Sequence, residues 1–131
     1  MWFAAANERE SRNAHAKQLL GEIADERRVA TDHIVVETWL GLNARVHRWA
    51  AEAFWRLIRQ GGADVENVTF ADLETAWAIG ETFPDQDFSI VDRTSFAVME
   101  RLGITRAASF DDHFAIYRYG RNRDRAFEIL R

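Results

Sequence analysis

Short candidate strands that alternate with helical patterns limit the folds that are open to this chain. Candidate strands lie at residues 28–31, 65–69 and 105–109, and each is followed by a helical pattern or a turn. Parallel neighbouring strands need crossover connections, and the crossover helices then cover the sheet. The pattern therefore predicts an α/β fold with a parallel sheet and helices on both of its faces.

Two segments carry apolar residues at the spacing of three and four that is typical of a helix with one buried face. The first stripe comprises Val46, Trp49, Ala50, Ala53, Leu57 and Ile58, and the second comprises Val91, Ser95, Val98, Met99 and Leu102. Thr69 with Asp72, and Ser89 with Asp92, have the spacing of capping boxes. These two pairs predict the N-termini of two helices.

The length of 131 residues suits one domain with a hydrophobic core. No linker rich in proline, glycine or serine divides the sequence, so we expect a single domain over residues 1–131. The absence of cysteine excludes disulfides and thiolate metal sites, and it fits a reducing compartment. Neither a signal peptide pattern nor a run of ~20 apolar residues is present, so we expect a cytoplasmic protein without a membrane segment.

Three carboxylates, those of Glu37, Asp92 and Asp111, follow predicted strands or open predicted helices. Such positions matter because an open α/β sheet binds ligands beyond the carboxyl ends of its strands. Each residue also has a structural explanation: Glu37 as a solvated side chain, Asp92 as a member of a helix cap, and Asp111 with Asp112 as a turn. Together, however, they are the hard oxygen ligands that Mg²⁺ or Mn²⁺ prefers, and such a metal suits phosphodiester hydrolysis.

Other chemistries have weaker support in the sequence. The four histidines lack metal-binding spacing, and no HExxH, GxGxxG, P-loop or GxSxG motif is present. His113, beside the two aspartates, could assist a metal site, but a surface position is the more common one for such a histidine.

A C-terminal run interleaves arginine with tyrosine over residues 117–125. Its residues Arg118, Arg121 and Arg123 could contact the phosphates and bases of RNA. Alternatively, the run is a solvated turn around Gly120 that precedes a last strand at residues 126–130.

Two parts of the sequence resemble motifs of the PIN-domain family. Residues 87–99 followed by 108–114 resemble the C-terminal half of PIN domains, and residues 31–39 resemble their second motif. PIN domains have a three-layer α/β fold around a central parallel sheet, and they bind Mg²⁺ or Mn²⁺ through clustered acids. Many bacterial members are ribonuclease toxins of VapBC-type toxin–antitoxin pairs.

The resemblance implies a metal-dependent ribonuclease with an RNA substrate, and it implies roles for six residues. These are the catalytic, metal-binding acids Glu37, Asp92 and Asp111, the accessory metal-binding acid Asp112, and the supporting hydroxyl groups of Ser109 and Ser95. We further expect a protein antitoxin that inserts a basic residue among the carboxylates, because a cation there relieves their repulsion. Trp39 and Trp55 could serve a homodimer or the core.

The N-terminal sequence departs from the family pattern. Members normally begin with a central strand that ends in an aspartate, and residues 2–7 resemble the stretch that follows it. We therefore expect that the first strand and its acid are truncated here, most simply because the start given lies inside the gene product. A chain that truly lacked this acid would bind metal more weakly. The alternative function is then a catalytically impaired PIN domain that binds RNA or a protein.

Overall fold

The computed structural model describes residues 1–131, which divide into two compact units, residues 1–67 and 68–131. Each unit contains one pair of parallel strands, so the predicted α/β class and the parallel pairing are confirmed. The four strands form two pairs rather than the single sheet that the alternation predicted. None of the helices combines the length and the apolar character that a membrane span requires.

The first unit contains four α-helices and two strands. In chain order they are α1 (Trp2–Ala6), α2 (Asn13–Glu22), β1 (Val29–Thr31), α3 (Asp32–Arg45), α4 (Arg48–Leu57), a π-helical turn (Ile58–Gly62) and β2 (Asp64–Glu66). Thr31 ends β1 and caps α3, because its hydroxyl accepts a hydrogen bond from the Ile34 amide at 3.1 Å. A short strand therefore passes directly into the helix that carries Glu37.

The buried face of α4 differs from the predicted stripe. The residues that this segment buries are Ala50, Ala51, Phe54 and, just beyond the end of the helix, Ile58. Trp49, Ala53 and Leu57, which belong to the predicted stripe, are exposed instead. The prediction was right for Ala50 and Ile58 and wrong for the three exposed residues, because a period of 3.6 residues allows two overlapping stripes on this helix, and only packing selects between them. Phe54 enters the core of the unit beside Leu42.

The second unit contains three α-helices and two strands. They are α5 (Phe70–Thr82), α6 (Ile90–Leu102), β3 (Arg106–Ala108), α7 (Asp112–Ile116) and β4 (Glu128–Leu130). Strands β3 and β4 are parallel, with Ala107 opposite Ile129. All four strands of the chain overlap the ranges predicted for them, although each has only three residues.

Both predicted capping boxes are present, and they fix the starts of α5 and α6. The Thr69 hydroxyl accepts a hydrogen bond from the Asp72 amide at 3.1 Å, and the Asp72 carboxylate accepts one from the Thr69 amide at 2.9 Å. Ser89 and Asp92 form the same reciprocal pair, with both distances 3.0 Å. Local hydrogen bonds thus hold the Asp92 carboxylate at the first turn of α6.

A largely buried ion pair joins the first turn of α5 to the last turn of α6. Nε and Nη2 of Arg101 donate to the two carboxylate oxygens of Asp72, each at 3.0 Å. Burial by itself would raise the pKa of Asp72, but the hydrogen bonds from Arg101 and Thr69 outweigh it, so this pKa is lowered. The pair anchors α6, the helix that carries Asp92.

Aromatic rings fill the core of the second unit. The rings of Phe96 and Tyr117 stack nearly parallel with their centroids 4.3 Å apart, and Phe88 meets Phe96 edge-on at 5.3 Å. Phe88 also meets the imidazole of His113 edge-on at 5.3 Å. The core therefore restrains a histidine at the start of α7.

Candidate metal centre

Asp92, Asp111 and His113 come together in the second unit. A possible ligand atom from each lies within 4.8 Å of the other two. Asp92 belongs to the first turn of α6, whereas the other two belong to the N-terminus of α7. The cluster forms because the N-termini of these two helices meet.

Asp92 is the least exposed acid of the cluster, and its carboxylate has two partners. Its Oδ2 accepts the hydrogen bond from the Ser89 amide at 3.0 Å, and the same oxygen lies 2.8 Å from Nδ1 of His113. The structural role that the sequence allowed for Asp92, as a member of a helix cap, is therefore real. It leaves the second carboxylate oxygen available for another ligand.

Asp111 is positioned by the strand pair that precedes it. The Ser109 amide donates to the Leu130 carbonyl at 3.1 Å, and the Ser109 hydroxyl accepts a hydrogen bond from the Asp111 amide at 3.0 Å. The Asp111 carboxylate then caps α7 by accepting from the His113 amide at 2.9 Å. Since its side chain is 47% exposed, solvent ions can reach it.

The sequence favoured a surface position for His113. In the structure its side chain lies between the two acids and is only 27% exposed. Its Nδ1 is 2.8 Å from Oδ2 of Asp92 and 3.4 Å from Oδ1 of Asp111. Burial alone would lower the pKa of His113, but the hydrogen bond to Asp92 and the negative charges of Asp111, Asp92 and Asp87 raise it overall. The expectation was wrong because the contact with Asp92 joins two different helices.

The donor set suits a small divalent cation. Two carboxylates ~4 Å apart repel by about 4 kcal/mol at an effective dielectric constant of 20, and a cation relieves this repulsion. Ser95, one turn after Asp92 on α6, has a buried hydroxyl with no hydrogen-bond partner in the chain. A buried unpaired hydroxyl marks a place for ordered water or a ligand. The residues present therefore fit a metal such as Mg²⁺ or Mn²⁺.

The other two predicted acids, Asp112 and Glu37, are not among the three residues of this cluster. Asp112 is exposed, and its Oδ1 accepts a hydrogen bond from Nη1 of Arg131 at 2.8 Å. Glu37 is exposed on α3 of the first unit. Their roles in metal binding stay predictions from the sequence.

Two of the three arginines that the sequence predicts to contact RNA have partners inside the second unit. Nη1 of Arg118 donates to the carbonyls of residues 115–117 at 2.6 to 3.1 Å, and it thereby caps the C-terminus of α7. Nη1 of Arg123 lies 3.4 Å from the hydroxyl of Tyr117. Arg121 is exposed. RNA contact by these arginines stays a prediction.

Comparisons with known proteins agree with one another. The family model of the PIN domain matches residues 1–119. The chain is 36% identical over 115 residues to the 23S rRNA-specific endonuclease VapC20 of Mycobacterium tuberculosis strains CDC 1551 and H37Rv. The aligned residues cover 87% of this chain and 86% of that protein. It also resembles the crystal structure of M. tuberculosis VapC20, a sarcin-ricin loop cleaving toxin, with a TM-score of 0.76 and 36% identity over 85% of each chain.

Proposed function

Because the chain belongs to the PIN-domain family, we propose that it is a metal-dependent endoribonuclease and the toxin of a VapBC-type toxin–antitoxin pair. The observation that carries this proposal is the meeting of Asp92, Asp111 and His113 in a chain 36% identical to an rRNA endonuclease. Acidic clusters are common on protein surfaces, but in a nuclease family such a cluster points to phosphodiester hydrolysis. We place the protein in the cytoplasm, where its RNA substrate would be.

Asp92 and Asp111 would hold the Mg²⁺ or Mn²⁺ ion. When bound, such an ion lowers the pKa of water and neutralises charge on the scissile phosphate. The chain supplies the positions of its ligands: the capping box holds Asp92, Ser109 holds the backbone of Asp111, and His113 restrains the Asp92 carboxylate. These contacts orient both carboxylates before the ion binds.

We infer that the substrate is a structured loop of ribosomal RNA. The relatives are specific for 23S rRNA, and the similarity to them covers most of both chains. Two carboxylates and one imidazole can recognise only the phosphodiester, which is the same in every RNA. Selection of one loop therefore needs contacts with other surfaces of the chain.

Removal of divalent cations is expected to abolish RNA cleavage. The purified chain is incubated with 23S rRNA in Mn²⁺, with and without excess EDTA, and products are mapped by primer extension. Without a cation the two carboxylates repel the phosphate instead of binding it through a shared metal. Cleavage should return when Mn²⁺ is added in excess over the chelator. An unchanged rate in EDTA would contradict the metal-dependent mechanism.

An apolar pocket in the first unit supports the proposal of a protein antitoxin. The pocket has a volume of about 420 Å³, and it is lined by Asp32, Val35, Val36, Trp39, Leu40, Trp55, Ile58, Arg59 and Val65. Val36 and Leu40 are each more than half exposed, which is unusual for large aliphatic side chains that cluster together. Such a surface fits the apolar face of an amphipathic helix.

Leu40→Arg is expected to remove the antitoxin from the protein as it is purified from its native host. The charged side chain would have to be buried under the partner helix in a largely apolar pocket, so the complex should weaken by more than tenfold. Phe70→Ser is the matched control, because Phe70 is a large apolar residue exposed in the second unit. Retention of a small partner by the Leu40 variant would exclude this pocket as the antitoxin site.

A further inference from the structure

The outer side of α4 presents one tryptophan and two arginines to solvent. These residues, Arg48, Trp49 and Arg56, are called the Trp49 face. Trp49 is 64% exposed, and both arginines are exposed as well. Trp49 and Arg56 are seven positions apart, so they lie two turns apart on the same side of the helix.

Little of the chain covers the indole ring of Trp49. Ala53, one turn further along α4, is exposed and too short to reach over the ring. The ring of His47, which caps the helix, stands beside the indole with a centroid distance of 6.5 Å. An aromatic face of this size is therefore open to a flat partner.

The surroundings of Trp49 are basic although the chain as a whole is acidic. Residues 45–59 contain four arginines and one glutamate, whereas the whole chain has 17 basic and 21 acidic residues. Arg48 makes an exposed ion pair with Glu52 at 3.6 Å, which opens readily in water. Arg56 makes no hydrogen bond or ion pair within the chain. The positive charge of this face is therefore available to an anion.

We propose that the Trp49 face binds unpaired nucleotides of the RNA substrate. A base stacks on the indole of Trp49, and the guanidinium groups of Arg48 and Arg56 pair with backbone phosphates. The inference rests on the proposed ribonuclease function, and it adds a substrate-binding surface in the first unit to the acids of the second unit. The Trp49 face thereby supplies contacts with bases, whereas the acids of the second unit recognise only the phosphodiester.

RNA fits this face better than a protein partner does. Every base offers a flat π-face to an open indole, and the planar guanidinium group matches the geometry of a phosphate. A protein partner would favour apolar side chains that cluster, and these are found in the separate pocket formed by Val36 and Leu40. The alternation of cation, aromatic ring and cation is instead typical of surfaces that follow a nucleic-acid strand.

Equilibrium binding tests this inference separately from cleavage. All variants carry Asp92→Asn so that the RNA stays intact, and the probe is a fluorescently labelled sarcin-ricin hairpin of 23S rRNA followed by anisotropy. Trp49→Ala is expected to raise the Kd about tenfold, whereas Trp49→Phe, which can still stack, keeps most of the affinity. Arg56→Gln should raise the Kd several-fold and lower the slope of log affinity against log salt by about 1.

Two matched controls show whether the effect belongs to this face. Trp77→Ala removes a tryptophan that is 68% exposed on α5, near Glu74 and Glu81, and Arg9→Gln removes an exposed arginine that lies between two glutamates. Neither should change the Kd by more than about twofold, and melting temperatures verify that every variant is folded. Because all of these side chains are exposed, loss of the fold is not expected.

The outcomes separate this inference from the proposed function. In one outcome the parent chain cuts 23S rRNA, but Trp49→Ala and Arg56→Gln bind the hairpin as tightly as the Asp92→Asn chain does. The Trp49 face is then not an RNA surface, while the ribonuclease proposal stands. If the chain neither binds nor cuts RNA, both proposals fail. Variants that lose self-association at unchanged RNA affinity would overturn the inference and assign this face to a homodimer.

Discussion

Replacing Asp92 by asparagine is expected to lower the rate of RNA cleavage by at least ~100-fold while the fold is retained. Groups that only support a metal ligand contribute about 10- to 100-fold to metal affinity or activity, so a ligand itself should contribute more. The asparagine carbonyl can still accept the hydrogen bond from the Ser89 amide, so the cost in unfolding free energy should be about 1 kcal/mol or less. Single-turnover cleavage in Mn²⁺ and thermal unfolding measure the two effects.

Ser89→Ala is the matched control for the Asp92 variant. It removes the hydroxyl that accepts a hydrogen bond from the Asp92 amide, but it leaves the Asp92 carboxylate in place. We expect a loss of about 1 kcal/mol in stability and a cleavage rate close to that of the parent chain. If Asp92→Asn cleaved RNA as fast as the parent, Asp92 would be a capping residue alone. A parent chain that binds RNA but never cuts it would favour the catalytically impaired binding module.

Replacing Arg101 by alanine is expected to destabilise the chain by about 3 kcal/mol at pH 7. The Asp72 side chain is only 4% exposed, so the variant leaves a carboxylate buried without its counter-ion. Loss of one partner from a buried pair costs about 3 to 5 kcal/mol, and the low end applies because the Arg101 side chain is 34% exposed. Denaturant unfolding of both proteins measures the difference.

The effect of Arg101→Ala should depend on pH because the pKa of Asp72 is lowered in the folded chain. An unfolded aspartate has a pKa of ~3.9 and takes up a proton more readily than folded Asp72 does. The stabilisation by the ion pair is therefore fully present above about pH 4, the pKa of an unfolded aspartate. It is lost as the pH falls through the lowered pKa of folded Asp72. The difference in unfolding free energy between parent and variant should shrink below about pH 4.

Arg106→Ala provides the matched control for the Arg101 variant. Arg106 and Glu128 form an ion pair at 3.5 Å on the surface of the same unit, where both side chains are exposed. Exposed pairs contribute about 1 kcal/mol or less, so this variant should lose little stability. Equal losses in the two variants would mean that the burial of Asp72 has no energetic consequence.

The positions of Asp92 and Asp111 could be found in the sequence because local patterns mark them. Ser89 and Asp92 have the three-residue spacing of a capping box, and Asp111 follows a short strand. Both features appear in the structure as hydrogen bonds between near neighbours. The contact of His113 with Asp92 left no such pattern. It joins residues 21 positions apart, through the packing of α6 against α7.

Patterns in the sequence were enough to predict the N-termini of α5 and α6, the positions of the short strands and the family of the chain. Those features depend on interactions within three or four residues and on motifs that can be read along the chain. The buried side of α4, the exposure of Trp49 and the position of His113 between two acids depend on tertiary packing. Burial and convergence depend on how complete elements pack against each other, and a periodic pattern leaves more than one packing open.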